Sequence, residues 1–239
     1  AVAGMAAAQG EQELMDSLSV VPAGMLINAI FLSVWIYLPR ATASLGSERS
    51  LAVTTATALL AWAMFGMVTI LCIGELSEYG TGPRTIGMIG IALTAVFGIV
   101  LGWKPYESPK GSREVSKSVL LARGLMAATA IGASVWVAGL GYPLLAGLAS
   151  VFPAIFLTSM VSLWISQGPS VPRGAAAPML LGGGSVGVYS LVAMYSLEAH
   201  GIILGSIMSW VTAVAVWSMP SYIYLRWRTG VGDSRKVSS

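Results

Sequence analysis

The stretches AGLASVFPAIFLT at residues 146–158 and AGMLINAIFLS at residues 23–33 share one pattern. Both begin with AG, and both end in AIFL followed by a serine or a threonine. The residue before AIFL is Pro153 in one copy and Asn28 in the other. Because each copy lies in a long apolar run, we interpret the two as equivalent segments of two membrane-spanning helices, each with a helix-disturbing or polar residue near the middle of the bilayer.

The composition of the whole chain is typical of an integral membrane protein. Of its 239 residues, 56% are hydrophobic and 10% are charged, and the mean hydropathy is +0.78. Soluble domains carry about 25% charged residues, so this chain has too few charges to cover a surface that faces water. The net charge of +3 does not indicate nucleic-acid binding, because the basic residues follow the expected membrane topology.

Seven apolar stretches are long enough to cross a bilayer, which requires about 20 mostly apolar residues. They cover residues 19–38, 51–73, 85–103, 118–139, 142–166, 175–197 and 201–225. The sequence therefore predicts an all-α polytopic membrane protein with seven transmembrane helices. Outside the spans, we expect a polar acidic N-terminal tail at 1–18, a polar basic loop at 104–117 and a basic C-terminal tail at 226–239.

The basic residues predict the orientation. With seven crossings, the face that carries the N-terminus holds only Arg84, and the other twelve of the 13 Lys and Arg residues lie on or near the opposite face. Basic loops face the cytosol, so we expect the N-terminus outside or in a lumen, and the C-terminus in the cytosol, or in the matrix or stroma of an organelle. Interfacial tryptophans are expected at the basic face, where spans end at Trp35, Trp103, Trp164 and Trp227.

Further matches extend the internal repeat. Glu75 ends the second span and Glu198 ends the sixth, and TAV at 94–96 recurs at 212–214. Each match alone is weak, because Ala-rich helices resemble each other by chance, but all of them occur in the same order. They indicate that the first three spans were duplicated as the last three.

The number of crossings then sets the relation between the two copies. Residues 19–103 form the first three-helix repeat, 142–225 form the second, and 118–139 form a linker helix. Four crossings precede the second repeat, so both repeats begin on the same face of the membrane. The sequence thus predicts two parallel three-helix repeats in a 3+1+3 arrangement, as in some small solute carriers.

The unusual residues of the two copies form a candidate solute pathway. Pro153 lacks a backbone N–H and leaves carbonyls unpaired in the bilayer, where such groups are tolerated only inside protein or along a cavity. Asn28 offers an amide to a polar solute, and Ser33 and Thr158 add hydroxyl groups. The alternative is that Ser150 or Thr158 satisfies the carbonyls at a kink, and that Asn28 bonds to a neighbouring helix.

Three glycines complete the set of pathway candidates. The sequence contains no recognisable catalytic or metal-binding motif. Gly183, Gly184 and Gly187 are expected to let helices approach closely. The run GGG at 182–184 is no phosphate-binding loop, because GK[ST] does not follow it. One histidine, His200, and one distant cysteine cannot assemble a metal site or a thiol–imidazole pair, so we expect neither a metal nor a cofactor.

The second half of the chain also carries a family-like pattern. YPLLAGLASVFPAIFLTSMVSLWISQGP at 142–169 is followed by Arg173 and by GAAAPMLLGGGSVGVYSLVAMYSL at 174–197. This order of small residues, a mid-helix proline, a polar loop and another apolar helix resembles the GlpM-like family of small bacterial membrane proteins, whose function is unknown. The resemblance covers roughly residues 118–225 and implies an architecture without assigning catalytic residues.

These observations favour a carrier- or channel-like membrane protein for a small polar or lipid-like solute, without buried ion-coupling carboxylates. The chain is not expected to be an enzyme. The alternative is a non-catalytic accessory or structural subunit of a larger membrane complex. The expected partners are membrane lipids, further copies of the chain or other membrane subunits, and no nucleic acid.

Overall fold

The computed structural model describes residues 11–103 and 116–237, and these are helical almost throughout. The helices are α1 (Glu11–Ala41), α2 (Ser47–Glu78), α3 (Pro83–Gly102), α4 (Lys117–Gly139), α5 (Pro143–Ser150), α6 (Ala154–Gln167), α7 (Ser170–Gly183), α8 (Ser185–Ala213) and α9 (Met219–Val237). A 3₁₀ turn at Ala43–Leu45 follows α1, and a π-helical segment at Val214–Ser218 joins α8 to α9. No strand occurs in the described residues, so the predicted all-α class is confirmed.

Six stretches of the described chain are long and apolar enough to cross a membrane. They are Leu14–Ala41, Ser47–Leu76, Arg84–Gly102, Lys117–Val137, Pro143–Gln167 and Ser170–Arg228. Such a set of helices agrees with the predicted multi-pass membrane protein. The last stretch has 59 residues and contains two of the predicted spans, 175–197 and 201–225.

This last stretch folds back on itself at Gly201. Gly201 has φ 73° and ψ 177°, a backbone conformation that is essentially restricted to glycine. The hydroxyl groups of Ser196 and Ser209 lie 2.7 Å apart, although the two residues are 13 positions apart in the chain. In a continuous helix they would be separated by about 20 Å along the axis. The segments on either side of Gly201 are therefore antiparallel neighbours, and we call them the α8 hairpin.

Helix α1 lies at the centre of the molecule. It packs against α2, α3, α5, α7 and α8. In the most apolar segment of each helix, 72% of α1 is buried, compared with 17% of α2 and 6% of α4. A helix that is apolar on all sides is expected in an interior position, and Val20, Phe31 and Trp35 are fully buried.

The AG pairs of the two repeated phrases lie where α1 meets the fifth apolar stretch. A Cβ atom added at Gly24 would collide with the side chain of Val151, and one added at Gly147 would collide with the carbonyl oxygen of Ser17. Ser17 also donates its hydroxyl to the carbonyl of Pro143 at 2.9 Å. Small residues thus let the two helices approach closely, as is common in membranes.

Several helix ends differ from the predicted segment boundaries. Helix α1 begins at Glu11, so residues 11–18 of the predicted tail form its first turns, and Leu14 and Leu18 are 6% and 2% exposed. Helix α9 continues to Val237, through most of the predicted tail at 226–239. The hydropathy pattern could not show these ends, because polar residues extend a helix beyond its apolar part. Residues 1–10, 104–115 and 238–239 lie outside the described residues.

Two of the four tryptophans expected at the interface are in the core. Trp35 and Trp164 are 0% and 3% exposed, and their ring centroids are 6.1 Å apart in an edge-to-face arrangement. Both rings belong to one buried cluster, which also includes Phe31 and Met160. Trp103 and Trp227 are 56% and 59% exposed, as an interfacial position requires.

Candidate functional site

A cavity of about 320 Å³ lies beside the repeated phrases, between α1 and the interruption that separates α5 from α6. The described residues that line it are Met25, Asn28, Ser150, Val151, Phe152, Pro153, Ile155, Phe156, Gly183 and Val186. Two of the sequence-based candidates, Asn28 and Pro153, therefore border the same space, which we call the central cavity. The lining combines apolar side chains with one amide and the backbone of a broken helix.

The interruption is a consequence of Pro153. Its ring has no N–H to donate to the carbonyl four residues earlier, so the helical pattern ends at Ser150 and begins again at Ala154. Phe152 N–H donates instead to the carbonyl of Ala149 at 3.2 Å. Residues 151–153 thus present non-helical backbone to the cavity, which is one of the settings in which a membrane tolerates it.

The side chain of Asn28 connects three elements at this point. Its Nδ2 donates to the carbonyl of Val151 at 3.1 Å, and its Oδ1 accepts a hydrogen bond from Trp62 Nε1 at 3.0 Å. The Trp62 ring in turn lies edge-to-face on Phe152, with centroids 5.2 Å apart. Asn28 therefore joins α1 to α2 and to the break between α5 and α6, and it is 2% exposed.

These two bonds use only part of the hydrogen-bonding capacity of the Asn28 amide. A primary amide has two N–H donors and two lone pairs on its oxygen. The second possible partner of Nδ2 is the sulfur of Met25 at 3.8 Å, which is a weak acceptor. A solute in the cavity can compete for this N–H or for the second lone pair of Oδ1 without separating Asn28 from Val151.

Ser33 and Thr158 are not among the described residues that line the cavity. The hydroxyl of Ser33 donates to the carbonyl of Ala29 at 2.7 Å, and that of Thr158 donates to Ala154 at 2.8 Å. Both are bonds to the preceding turn of the same helix, which a hydroxyl in a helix readily forms. In this conformation the two hydroxyl groups serve their own helices.

The three glycine candidates lie at three different contacts. Gly183 lines the cavity, where an added Cβ would lie 2.7 Å from Phe156 Cζ. Gly184, at the junction of α7 and α8, is covered by the indole of Trp217. At Gly187 an added Cβ would lie 2.5 Å from Ile91 Cδ1, so this glycine allows α8 to approach α3. Only the first of the three borders the cavity.

A second cavity, of about 410 Å³, lies nearer the start of α1. Its described lining includes Asp16 and Ser19 of α1 together with Ile70 and Ile73 of α2 and the first residues of α5. A cluster of buried apolar side chains, which we call the apolar barrier, borders both cavities, because Met25 and Val151 line the first and Ile73 and Ile86 line the second. It consists of Val20, Val21, Met25, Ile27, Ile73, Ile86, Leu148 and Val151.

An ion pair joins helices on the side of the second cavity. Arg84 at the start of α3 pairs with Glu198 of α8. The guanidinium carbon of Arg84 also lies 4.5 Å from the ring centroid of Tyr195. Both partners are about half exposed, with side-chain exposures of 44% and 54%, so the pair contributes little to stability. The described lining of the central cavity, in contrast, contains no charged side chain.

Sequence reasoning did not identify Trp62, Met25 or Phe156 as neighbours of the candidate site. Trp62 left one signal, because an indole in the middle of an apolar span needs an acceptor for its N–H. Hydropathy does not show which helix supplies that acceptor.

Comparisons with protein-family models, with curated proteins and with solved structures find no match to this chain.

Proposed function

We propose that this chain is a non-enzymatic, carrier- or channel-like membrane protein that moves a small polar or lipid-like solute between α1 and the α5–α6 break. The observation that carries the proposal is the cavity of about 320 Å³ at Asn28 and Val151. This volume is at the lower end of the range for ligand pockets, which is about 300–1,000 Å³. It combines an amide, backbone groups and apolar walls, which suits a small solute with one polar end.

The second cavity supports a route. A solute entering near Asp16 would reach the central cavity by passing the apolar barrier, which is made of side chains from α1, α2, α3, α5 and the α5–α6 break. Movement of α1 against α5 would open the barrier, and the small residues Gly24 and Gly147 lie at that contact. Because no charged side chain is found in the described lining of the central cavity, the proposed solute is neutral or zwitterionic.

The proposal includes the finer architecture expected from the sequence. The reversal at Gly201 divides the sixth apolar stretch in two, which supports seven crossings with the N-terminus outside or luminal. Contact between α1 and α5 supports a pathway between two parallel repeats in a 3+1+3 arrangement. An architecture like that of the GlpM-like proteins remains part of the same proposal.

Solute flux through proteoliposomes tests the function. Liposomes with the purified protein are exposed to an osmotic step of glycerol, glucose or glycine, and light scattering follows the recovery of their volume. We expect the wild-type protein to accelerate permeation of at least one of these probes. Asn28→Leu should abolish that acceleration, because it replaces the only side-chain amide in the described cavity lining by an apolar group.

The matched control is Ser196→Ala, which also removes a buried interhelical hydrogen bond but lies in the α8 hairpin. Its flux should equal that of the wild type, and melting in detergent should show that both variants remain folded. Folded Asn28→Leu protein with wild-type flux would refute the proposed site. If the wild type accelerated none of the three probes, the proposed function would have to be abandoned for them.

The alternative function, an accessory subunit of a membrane complex, is favoured by one observation. Only 6% of the most apolar segment of α4 is buried, although this helix is as apolar as a spanning helix requires. Its outer face, including Gly124 and Gly132, has room for a helix of another subunit. Co-purification with unrelated subunits in mild detergent, together with absent flux, would support this alternative.

A further inference from the structure

A narrow cleft of about 210 Å³ lies between α3 and the chain that runs from the π-helical segment into α9. Its walls include Ala95 and Ile99 of α3, Leu181 of α7, and Trp217, Pro220 and Tyr224. It shares none of its described lining residues with the central cavity. The proposed solute pathway therefore does not account for this cleft.

The cleft coincides with a local change in helix geometry. Pro220 has no N–H to donate to the carbonyl of Val216, so the α-helical hydrogen-bond pattern is lost there and the helix widens into the π-helical segment. Trp217, within this segment, donates its indole N–H to the carbonyl of Leu181 at 2.6 Å. The indole is thereby fixed as one wall of the cleft.

The cleft opens at the apolar perimeter of the molecule. Val216 lines it and is 62% exposed, and the nearby Val100 and Met219 are 65% and 58% exposed. In a bilayer these side chains face hydrocarbon. An apolar cleft at such a surface suits an acyl chain, because water finds almost no polar partners in it.

A guanidinium group lies one helical turn beyond Tyr224, which is at one end of the cleft. Tyr224 donates its hydroxyl to the carbonyl of Ile99 at 3.4 Å, which places α9 beside α3. One turn further along both helices, the guanidinium carbon of Arg228 lies 5.1 Å from the ring centroid of Trp103. The Nε atom of Arg228 is buried and has no hydrogen-bond partner among the described residues.

The apolar cleft matches the acyl chain of a phospholipid, and the arginine and tryptophan near its end match the headgroup. A guanidinium presents a planar set of donors that fits phosphate oxygens, and tryptophan is enriched at the level of lipid headgroups. Basic residues next to a span are also attracted to anionic lipids, by about 1 kcal/mol each. Charge complementarity therefore favours an anionic lipid over a zwitterionic one.

We propose that the cleft between α3 and α9 binds an anionic phospholipid, with an acyl chain against Trp217 and Tyr224 and the headgroup phosphate on Arg228. The bound lipid would lie along α9 and join it to α3 from the membrane side. This site does not depend on solute transport, because it lies outside the proposed pathway.

Native mass spectrometry of the full chain tests the proposal. The protein is equilibrated in micelles with equimolar phosphatidylglycerol and phosphatidylcholine, and the retained lipids are counted. We expect the wild type to retain one phosphatidylglycerol in preference to phosphatidylcholine. Arg228→Gln should weaken this retention about fivefold, which corresponds to the loss of one basic contact. Ala95→Leu, which fills the cleft, should weaken the retention of phosphatidylglycerol as well.

The matched control is Arg49→Gln, which removes an exposed basic residue at the start of α2. It should retain the lipid as the wild type does. Equal loss in both arginine variants would show unspecific attraction and would overturn the site. Equal retention of the two lipids by the wild type, or wild-type retention by Arg228→Gln, would also overturn it. Unchanged retention by Ala95→Leu would refute the placement of the acyl chain.

Discussion

Asn28 and Pro153 show how far single residues could be interpreted from the sequence. A polar residue and a proline at equivalent places in two apolar runs drew attention to both, and the structure brings both to one cavity. The same pattern also predicts Ser33 and Thr158 as pathway residues, yet their hydroxyls bond within their own helices. A pattern in the chain marks unusual residues, but the rotation of each helix decides which of them meet.

The bond between Trp62 and Asn28 gives a prediction at this scale. In a double-mutant cycle of Trp62→Phe and Asn28→Ala, measured by reversible unfolding in detergent, the coupling energy should be about 0.6 kcal/mol and below about 1.7 kcal/mol. The reason is that each change removes one partner of the same 3.0 Å hydrogen bond. The pair Trp62→Phe and Ser196→Ala, which share no contact, should be additive. A coupling energy of zero for the first pair would contradict the bond.

Among the helices, apolar length predicted the presence of elements better than their interruptions. The proline in the fifth stretch predicts an interruption of the helix, and the helix is interrupted there between α5 and α6. The junction at Gly184 and the π-helical segment at Val214–Ser218 were not predicted. The π-helical segment follows from Pro220, which a count of apolar residues does not register. The junction at Gly184 is covered by Trp217, which also bonds to α7. Long-range contacts of this kind leave no local signal.

The reversal at Gly201 gives a prediction for the α8 hairpin. Gly201→Ala should lower the free energy of unfolding by about 1–3 kcal/mol, because alanine is strained at φ 73° and ψ 177°. Unfolding in a detergent series measures the change. Gly132→Ala is the control, since this glycine is in α4 with open space around it and alanine favours a helix. Equal stability of the two variants would argue against a strained turn at residue 201.

For the whole molecule, composition indicated the class but not the packing. The low charge and the long apolar stretches are sufficient to predict a helical multi-pass protein. They do not show that α1 is enclosed while α2 and α4 face outwards, because all three are apolar enough to cross a membrane. That difference arises from small residues and polar bonds at the contacts of α1, such as Gly147 against Ser17.

Seven crossings can be tested by labelling single cysteines in a Cys72→Ala background. A membrane-impermeant maleimide is applied to the face of intact vesicles that is expected to carry the N-terminus. It should react at Thr81→Cys and His200→Cys but not at Ser44→Cys. The reason is that a single crossing, the second span, separates residue 44 from residue 81, and that Gly201 returns the chain to the membrane. Detergent should expose all three positions. A His200→Cys variant that reacts only in detergent would contradict the proposed reversal.

The enclosed position of α1 also has a consequence for biosynthesis. Helix α1 leaves the ribosome before the other described helices, which assemble around it, and the carbonyl that receives the Asn28 amide belongs to a residue made 123 positions later. At about 5–20 residues per second, translation of that interval takes roughly 6–25 s. During this time the nascent helix waits in the lipid, or against the insertion machinery, with its amide exposed to non-native contacts. Substitutions in α1 should therefore reduce the yield of correctly assembled protein more than their effect on the finished molecule implies.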